Sequence, residues 1–143
     1  MMIKQLSIFL ENKKGRLAQV TATLAKNKIN IRALSLADSA DFGVLRLIVN
    51  DPDRGAACLK KNGMVVQITD VIAVEISDKP GGLSSVLKLF DREAINLEYM
   101  YAFIEKIKDK AIVIFKIEQP TKAIKFLKKE GMPLVRSSVL KEL

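Results

Sequence analysis

Residues 77–83 have the sequence SDKPGGL, and residues 11–17 have the related sequence ENKKGRL. A shift of 66 positions aligns these two turns, and it also aligns INI at residues 29–31 with INL at residues 95–97. Two extra residues enter the second half, after which a shift of 68 aligns LKKNGM, residues 59–64, with LKKEGM. Because identities recur at the same turns and helix ends, the sequence indicates two copies of one unit.

The hydrophobic pattern is the same in both copies. Leu6, Ile8 and Leu10 alternate with other residues before the first turn, as in a strand, and apolar residues at helical spacing follow that turn. A second strand, a polar hairpin, a third strand, a short helix and a closing strand come next. This order predicts an α+β fold of two ferredoxin-like βαββαβ units in tandem, at residues 1–70 and 71–143, with antiparallel sheets side by side and helices on one face.

Several details of this plan can be checked. The closing strands are expected at residues 65–69 and 134–139, and the hairpins at residues 38–41 and 105–109. The sheet face opposite the helices is expected to carry apolar side chains that need a cover, namely Phe9, Leu34, Leu36, Val44 and Ile48. The other repeat or a second chain is the expected cover, and we predict a homodimer through sheet or helix edges.

The composition excludes several classes of active site. The 143 residues contain 24 Lys and Arg against 16 Asp and Glu, a formal net charge of +8, with no His and one Cys. A His-dependent catalytic triad, a His-ligated metal and a disulfide within the chain are therefore impossible, and we expect no metal and no cofactor. The basic residues are spread along the chain, which favours a solvated surface over a specific nucleic-acid interface.

The expected location also follows from the sequence. No apolar run reaches the roughly twenty residues that a membrane-spanning helix needs. The first ten residues alternate apolar and polar side chains, unlike a signal peptide, and the lone Cys58 suits a reducing compartment. We therefore expect a cytoplasmic protein that does not bind membranes.

The turn before the first helix of each copy has the chemistry of a small polar ligand site. Gly15 and Gly81 permit backbone conformations that other residues resist, and the following helix offers N–H groups and a partial positive charge to a carboxylate. Asn12 has a neutral amide that donates and accepts, whereas Asp78 at the matched position only accepts and suits an ammonium group. A plain turn into a helix explains the same glycines equally well.

The turn, the helix and the motifs at residues 29–31 and 95–97 resemble the ACT domain, a small regulatory module that binds amino acids. SDKPGGL is especially close to the family pattern Asp/Asn-x-Pro-Gly-x-Leu, and the resemblance covers almost the whole chain, twice. It implies a stand-alone tandem ACT protein whose units form a continuous eight-stranded sheet. It also implies an amino-acid effector held between the turn of one unit and the second strand of a neighbouring unit.

The resemblance further implies a set of ligand-binding residues. In the first copy Asn12 and Asn30 contact the effector and Gly15 gives access to the main chain, and the matched residues of the second copy take the same roles. Asn30 begins the second strand, a position that we expect to lie beside the turn. The complete predicted set is Asn12, Lys13, Lys14, Gly15, Arg16, Leu17, Asn30, Asp78, Pro80, Gly81, Gly82, Leu83 and Asn96.

The two copies depart differently from the ACT pattern. Lys14 replaces the usual proline, so the first turn is expected to be less rigid than the second. Leu10 and Ile76 lack the polar side chain that some serine-binding members have there, which does not favour serine as the effector. The two amides of the first copy, Asn12 and Asn30, favour it as the better ligand site.

Two other classes of protein stay open. An enzyme would use Asp, Glu, Lys or Tyr chemistry, or Cys58, although Cys58 lies in the apolar pattern of the second helix, where packing is the expected role. A ferredoxin-like RNA-binding module needs aromatic side chains on its central strands, and the sequence offers Phe9 in the first copy and Phe115 in the second. We predict a non-catalytic sensor or regulatory protein whose partner is a free amino acid.

Overall fold

A computed structural model of the chain describes residues 2–11, 13–38, 41–104 and 109–142. The chain divides into two compact units, whose main parts are Lys4–Thr69, the first unit, and Asp70–Val139, the second unit. Residues 39–40 of the first predicted hairpin and residues 105–108 of the second lie outside the described residues. That two independent domains meet between residues 70 and 71 stays a prediction.

The described residues form six strands and five helices, which confirms an α+β fold with two ferredoxin-like units. The elements of the first half of the chain are β1 (Ile3–Glu11), α1 (Arg16–Lys26), β2 (Ile31–Asp38), β3 (Phe42–Val49), α2 (Pro52–Lys61) and β4 (Val65–Ser77). The remaining elements are α3 (Gly82–Arg92), β5 (Leu97–Ala102), β6 (Lys110–Ile117), α4 (Pro120–Lys129) and α5 (Ser137–Glu142).

The two predicted closing strands differ from the structure. The strand expected at residues 65–69 does not end near Asp70 but continues as β4, because the apolar alternation runs on without a turn residue. The strand expected at residues 134–139 is wrong. Leu134 forms only an isolated bridge with Val74, and the chain then turns into α5, whose start is closed by the Val139 N–H donating to the Arg136 carbonyl at 3.0 Å.

Each unit packs its two helices on one face of its sheet, as predicted. In the first unit, β1 and β2 both pair antiparallel with β3, and in the second unit, β4 and β5 both pair antiparallel with β6. Alternate residues of these strands form one apolar core with each helix pair. The first core centres on Leu6, Ile8, Val20, Leu24, Leu45 and Leu59, and the second on Val74, Val86, Phe90, Phe115 and Leu127.

A bulge in β2 changes which side chains face the helices. The register between β2 and β3 shifts between Ile31 and Ala33, and a shift of one residue exchanges the two faces of a strand. Leu34 and Leu36 therefore pair with Leu47 and Leu45 of the core, on the helix face. Their predicted placement on the opposite face is wrong.

The open face of the first-unit sheet is the face opposite its helices. Phe9 pairs with Val44 there and is 40% exposed, as expected for an apolar group that the helices do not cover. Ile48, in contrast, is completely buried, so part of this face is already covered.

The β5 strand has a bulge at the position that matches the bulge of β2, between Leu97 and Tyr99, so this irregularity is a repeated feature of the unit.

Gly82 is the position where the second turn is most crowded. A side chain at this residue would overlap the carbonyl oxygen of Ser77, and the Gly82 N–H donates a hydrogen bond of 3.0 Å to the Lys79 carbonyl. The turn thus folds back on the end of β4 so closely that only glycine fits. This constraint fixes the start of α3 against the strand.

We expect Gly82→Ala to lower the free energy of unfolding by about 1–3 kcal/mol, because backbone atoms must move to admit the methyl group. Ser84→Ala, at an exposed position in the same helical turn, should change it by less than about 0.5 kcal/mol. Urea denaturation monitored by circular dichroism measures both variants. Equal stability of the two would show that the turn does not need a glycine here.

Candidate functional site

The start of α3 is open to a ligand because its N-cap residue has no side chain. Gly81 has φ 90° and ψ −10°, the left-handed conformation that glycine adopts without strain. The N–H and the Oγ–H of Ser85 donate to the Gly81 carbonyl at 3.0 and 2.9 Å, which holds the first turn of the helix in place. The N-terminus of α3 therefore presents its partial positive charge at the turn.

A cleft of about 410 Å³ lies beside this turn, within the second unit. We call it the second-unit cleft, and its walls come from the end of β4, the turn, the start of β6 and the loop after α4. Its lining residues are Glu75, Ile76, Ser77, Lys79, Pro80, Gly81, Gly82, Ser85, Lys110, Met132 and Pro133. Three predicted site residues, Pro80, Gly81 and Gly82, are thus brought together here, and Asp78, Leu83 and Asn96 are not among the lining residues.

Charges of both signs line the second-unit cleft. The Glu75 carboxylate comes from β4, and the ammonium groups of Lys79 and Lys110 come from the turn and from β6. Lys110 Nζ donates to Ser77 Oγ at 3.3 Å, which draws that ammonium group towards the turn. A ligand with both an anionic and a cationic group finds a counter-charge for each in this cleft.

The first unit has a cleft of about 210 Å³ at the matched place, which we call the first-unit cleft. It is lined by Phe9, Leu10, Glu11, Arg16, Phe42, Gly63, Met64 and Val65. The N-cap of α1, Gly15, has φ 87° and ψ −6°, so the two turns share their backbone conformation. Arg16 is the predicted site residue that lines this cleft.

A second cleft of the first unit, of about 140 Å³, lies on the β2–β3 side of the same turn. Its lining residues are Leu10, Glu11, Lys13, Arg16, Leu17, Leu36, Asp38 and Gly43. It brings together three predicted site residues, Lys13, Arg16 and Leu17. Lys14 and Gly15 belong to the turn but line neither cleft, and Asn12 lies outside the described residues.

Glu11 is the acidic group of the first turn and is already paired. Its Oε2 atom lies 2.8 Å from Lys13 Nζ and 3.9 Å from Arg16 Nη2. The hydrogen bond and the charge of Lys13, followed by the charge of Arg16, lower the pKa of Glu11 below its ordinary value. Glu11 therefore stays ionised and neutralises mainly Lys13, the nearer cation.

The two predicted strand amides do not lie beside the turn of their own unit. After the turn, α1 carries the chain over 11 residues, about 16 Å, to the other end of the sheet. There the Asn30 N–H donates to Asn50 Oδ1 at 2.9 Å, and Asn96 Nδ2 donates to Glu118 Oε2 at 3.3 Å. The expectation that Asn30 and Asn96 lie near the turn is therefore wrong within a unit.

The strand-end residues that make the second-unit cleft charged and the first-unit cleft apolar were not identified from the sequence. Glu75 and Lys110 are matched in the first copy by Phe9 and Phe42. A signal was present in the repeat alignment, since two apolar residues of one copy are replaced by two opposite charges in the other. Reading that signal required knowing that these strand ends lie beside the turn, as the pairing of Ser77 with Lys110 shows.

The structure also bears on the other candidate groups. Phe115 is fully buried and its ring lies edge-on to Phe90, with centroids 5.1 Å apart, so it cannot stack on a nucleic-acid base. Among the residues that the structure describes, no three His, Cys, Asp or Glu side chains are grouped to hold a metal. No helix in the same part of the chain is long and apolar enough to cross a membrane.

A family model described as an ACT domain pair matches residues 1–143. The chain belongs to the ACT domain pair family. The crystal structure of protein BT0572 from Bacteroides thetaiotaomicron has 44% sequence identity and a TM-score of 0.93, and the match covers 100% of this chain and 98% of that chain. No curated protein matches the chain.

Two more distant structures share the fold of this ACT pair. The ligand-free regulatory subunit of aspartate kinase from Thermus thermophilus has 13% identity and a TM-score of 0.62, over 88% of this chain and 90% of that chain. Escherichia coli aspartokinase III, solved in complex with lysine and aspartate, has 17% identity and a TM-score of 0.50, over 90% of this chain and 31% of that chain.

We expect Cys58 of this ACT pair to react slowly with thiol reagents. Burial raises the pKa of the Cys58 thiol, against an opposing effect of the Arg54 charge, and the Sγ atom donates to the Gly55 carbonyl at 3.3 Å. The folded protein should react with 5,5′-dithiobis(2-nitrobenzoate) at pH 8 about tenfold or more slowly than the denatured chain. An equal or faster rate would identify a reactive thiol and favour the enzyme alternative.

Proposed function

We propose that this ACT domain pair is a non-catalytic regulatory protein that senses a free amino acid, and that the second-unit cleft holds the effector. The observation that carries the proposal is the placement of Glu75, Lys79 and Lys110 around the open N-terminus of α3. Membership of the ACT family supports a regulatory role. The complex of aspartokinase III with lysine and aspartate agrees with an amino acid as the class of ligand.

The charges of the second-unit cleft match the two ends of a zwitterion. An α-carboxylate at the start of α3 receives main-chain N–H groups and the attraction of Lys79 and Lys110. An α-ammonium group is attracted by the Glu75 carboxylate on the adjoining strand. Because the turn residues Gly81 and Gly82 have no side chains, the effector can approach the backbone closely. The cleft, of about 410 Å³, has room for a molecule of this size.

The second copy is the better candidate site, although the amides of Asn12 and Asn30 favour the first copy in the sequence. Asn30 lies at the far end of its own unit from the turn, so the two amides do not meet at one site within that unit. That a neighbouring unit completes the site stays a prediction. The expected absence of specific nucleic-acid binding and the expected cytoplasmic location stay predictions as well.

We expect at least one of the twenty amino acids to raise the Tm by about 5 °C or more at a concentration near 100 Kd. Glu75→Gln should weaken that binding roughly tenfold, because it removes the counter-charge of the ammonium group and keeps the shape. Glu142→Gln, an exposed carboxylate of α5, serves as the matched control. Differential scanning fluorimetry followed by isothermal titration calorimetry measures both effects.

Two outcomes would contradict this function. If none of the twenty amino acids shifts the Tm at millimolar concentration, free amino acids are not the effector. If an amino acid binds with the same affinity to the wild type and to Glu75→Gln, the ligand does not use the second-unit cleft. In the second case the sensor function survives and only its proposed site fails.

We also expect a homodimer that uses β2, an edge strand of the first-unit sheet. Leu34 and Leu36 on this strand are 44% and 52% exposed, and an apolar sheet edge is a template for pairing with a second copy. Leu36→Lys should shift the molar mass measured by light scattering towards the monomer, whereas Ala22→Lys on the exposed side of α1 should not. A monomeric wild type would contradict the prediction.

A further inference from the structure

The first-unit and second-unit clefts are built from matched residues of the two copies, yet their walls differ in chemistry. Phe9 takes the place of Glu75, and Phe42 takes the place of Lys110. Together with Val65, these aromatic residues leave much apolar surface exposed, at 40%, 56% and 62% for Phe9, Phe42 and Val65. Three large apolar side chains that face water around one cleft are typical of a site that binds an apolar group.

The charge of the turn beside each cleft differs as well. In the first unit, Lys13, Lys14 and Arg16 outnumber the single acid Glu11, so the turn has a net charge of +2. Glu11 Oε2 lies 2.8 Å from Lys13 Nζ and 3.9 Å from Arg16 Nη2, so it pairs first with Lys13, and Arg16, whose Nη1 donates to Gln19 Oε1 at 3.2 Å, is the cation that lines the cleft. The positive end of α1 adds to this field.

The second unit is balanced in comparison. The negative charges of Glu75 and Asp78 equal the positive charges of Lys79 and Lys110, so the turn and the cleft of the second unit have a net charge of zero. A zwitterion is complementary to this balance. The first-unit cleft, in contrast, has an aromatic ring at the place of Glu75, and the one carboxylate that lines it, Glu11, is already paired with Lys13, which leaves Arg16 as the cation for an anionic ligand.

We propose that the first-unit cleft binds an aromatic carboxylic acid, with its carboxylate at Arg16 and its ring against Phe9 and Phe42. This inference rests on the proposed function in one respect, that the matched clefts are ligand sites. Arginine suits a carboxylate because its planar guanidinium donates two parallel hydrogen bonds. Aromatic rings pack on one another in offset or edge-to-face geometry, which adds to the apolar contact. The protein then has two ligand sites of different specificity.

The test is calorimetric titration of the full chain with 3-phenylpropionate, and with 2-phenylethylammonium as a probe of the same shape and opposite charge. We expect saturable binding of the carboxylate and at least tenfold weaker binding of the ammonium compound. Arg16→Gln should weaken 3-phenylpropionate at least tenfold. Phe42→Lys, which introduces the residue of the second copy, should abolish its binding. If that variant does not fold, as judged by circular dichroism, Phe9→Glu provides the same test.

Matched variants of the second unit are the controls. Glu75→Gln and Lys110→Met should leave the affinity for 3-phenylpropionate unchanged, and Phe42→Lys should leave the affinity for the amino-acid effector unchanged. Failure of the two proposals is therefore distinguishable. If the wild-type protein binds 3-phenylpropionate but no amino acid, the sensor function is contradicted. If it binds an amino acid but not 3-phenylpropionate, this inference is contradicted.

Three results would overturn the inference. The first is the absence of saturable 3-phenylpropionate binding at 10 mM ligand. The second is binding that Glu75→Gln weakens, which would place the ligand in the second unit. The third is that Phe42→Lys converts a dimer to a monomer but does not change the binding of 3-phenylpropionate. The apolar wall of the cleft would then be a contact with a second copy.

Discussion

Each unit turns from its first strand into its first helix through a glycine with φ near +90°, 87° at Gly15 and 90° at Gly81. An L-residue with a side chain adopts this conformation only at a cost of about 1–2 kcal/mol, so the turn depends on glycine. The glycine leaves the helix start without a side-chain cap and sets the neighbouring strand end against it. Both clefts beside the turns exist because of this backbone geometry, and their chemistry is added by the side chains around it.

The two copies show how one backbone supports different chemistry. The glycine conformation, the bulge in the second strand and the left-handed glycine after the second helix, at Gly63 and Gly131, recur in both units. The side chains at the matched strand ends do not recur, since Phe9 and Phe42 stand where Glu75 and Lys110 stand. The features that recur are backbone features of the fold, and the side chains that differ line the two clefts.

Much of the fold was predictable because local signals agreed with one another. Alternating and helical apolar patterns placed most strands and helices, and the repeated turn identified the two units. The bulge between Ile31 and Ala33 was not predictable from alternation, and it exchanged the faces expected for Leu34 and Leu36. The strand predicted at residues 134–139 was also wrong, because a few apolar residues do not distinguish a short strand from the short helix α5 that forms there.

The candidate site was predictable in its centre and not in its walls. Pro80, Gly81 and Gly82 are contiguous in sequence, so the turn brings them to one cleft without any tertiary information. The walls come from strands and loops that are distant in sequence, and their neighbours follow only from the register. The same limit explains the misplacement of Asn30, because a helix of 11 residues separates the turn from the next strand.

Two matched positions of the turn differ between the copies, because Lys14 stands where the second copy has Pro80 and Arg16 stands where it has Gly82. In the second unit the turn closes so tightly that a side chain at Gly82 would overlap the Ser77 carbonyl. In the first unit the matched residue is Arg16, whose N–H still donates to the Lys13 carbonyl, but at 3.3 Å rather than 3.0 Å.

Lys14 does not fix its backbone angle φ as Pro80 does, and the position that only glycine fits in the second unit has a side chain in the first. That side chain is the guanidinium that lines the first-unit cleft. The first unit thus places a cation at the start of its helix, whereas the second-unit cleft has its cations at Lys79 and Lys110.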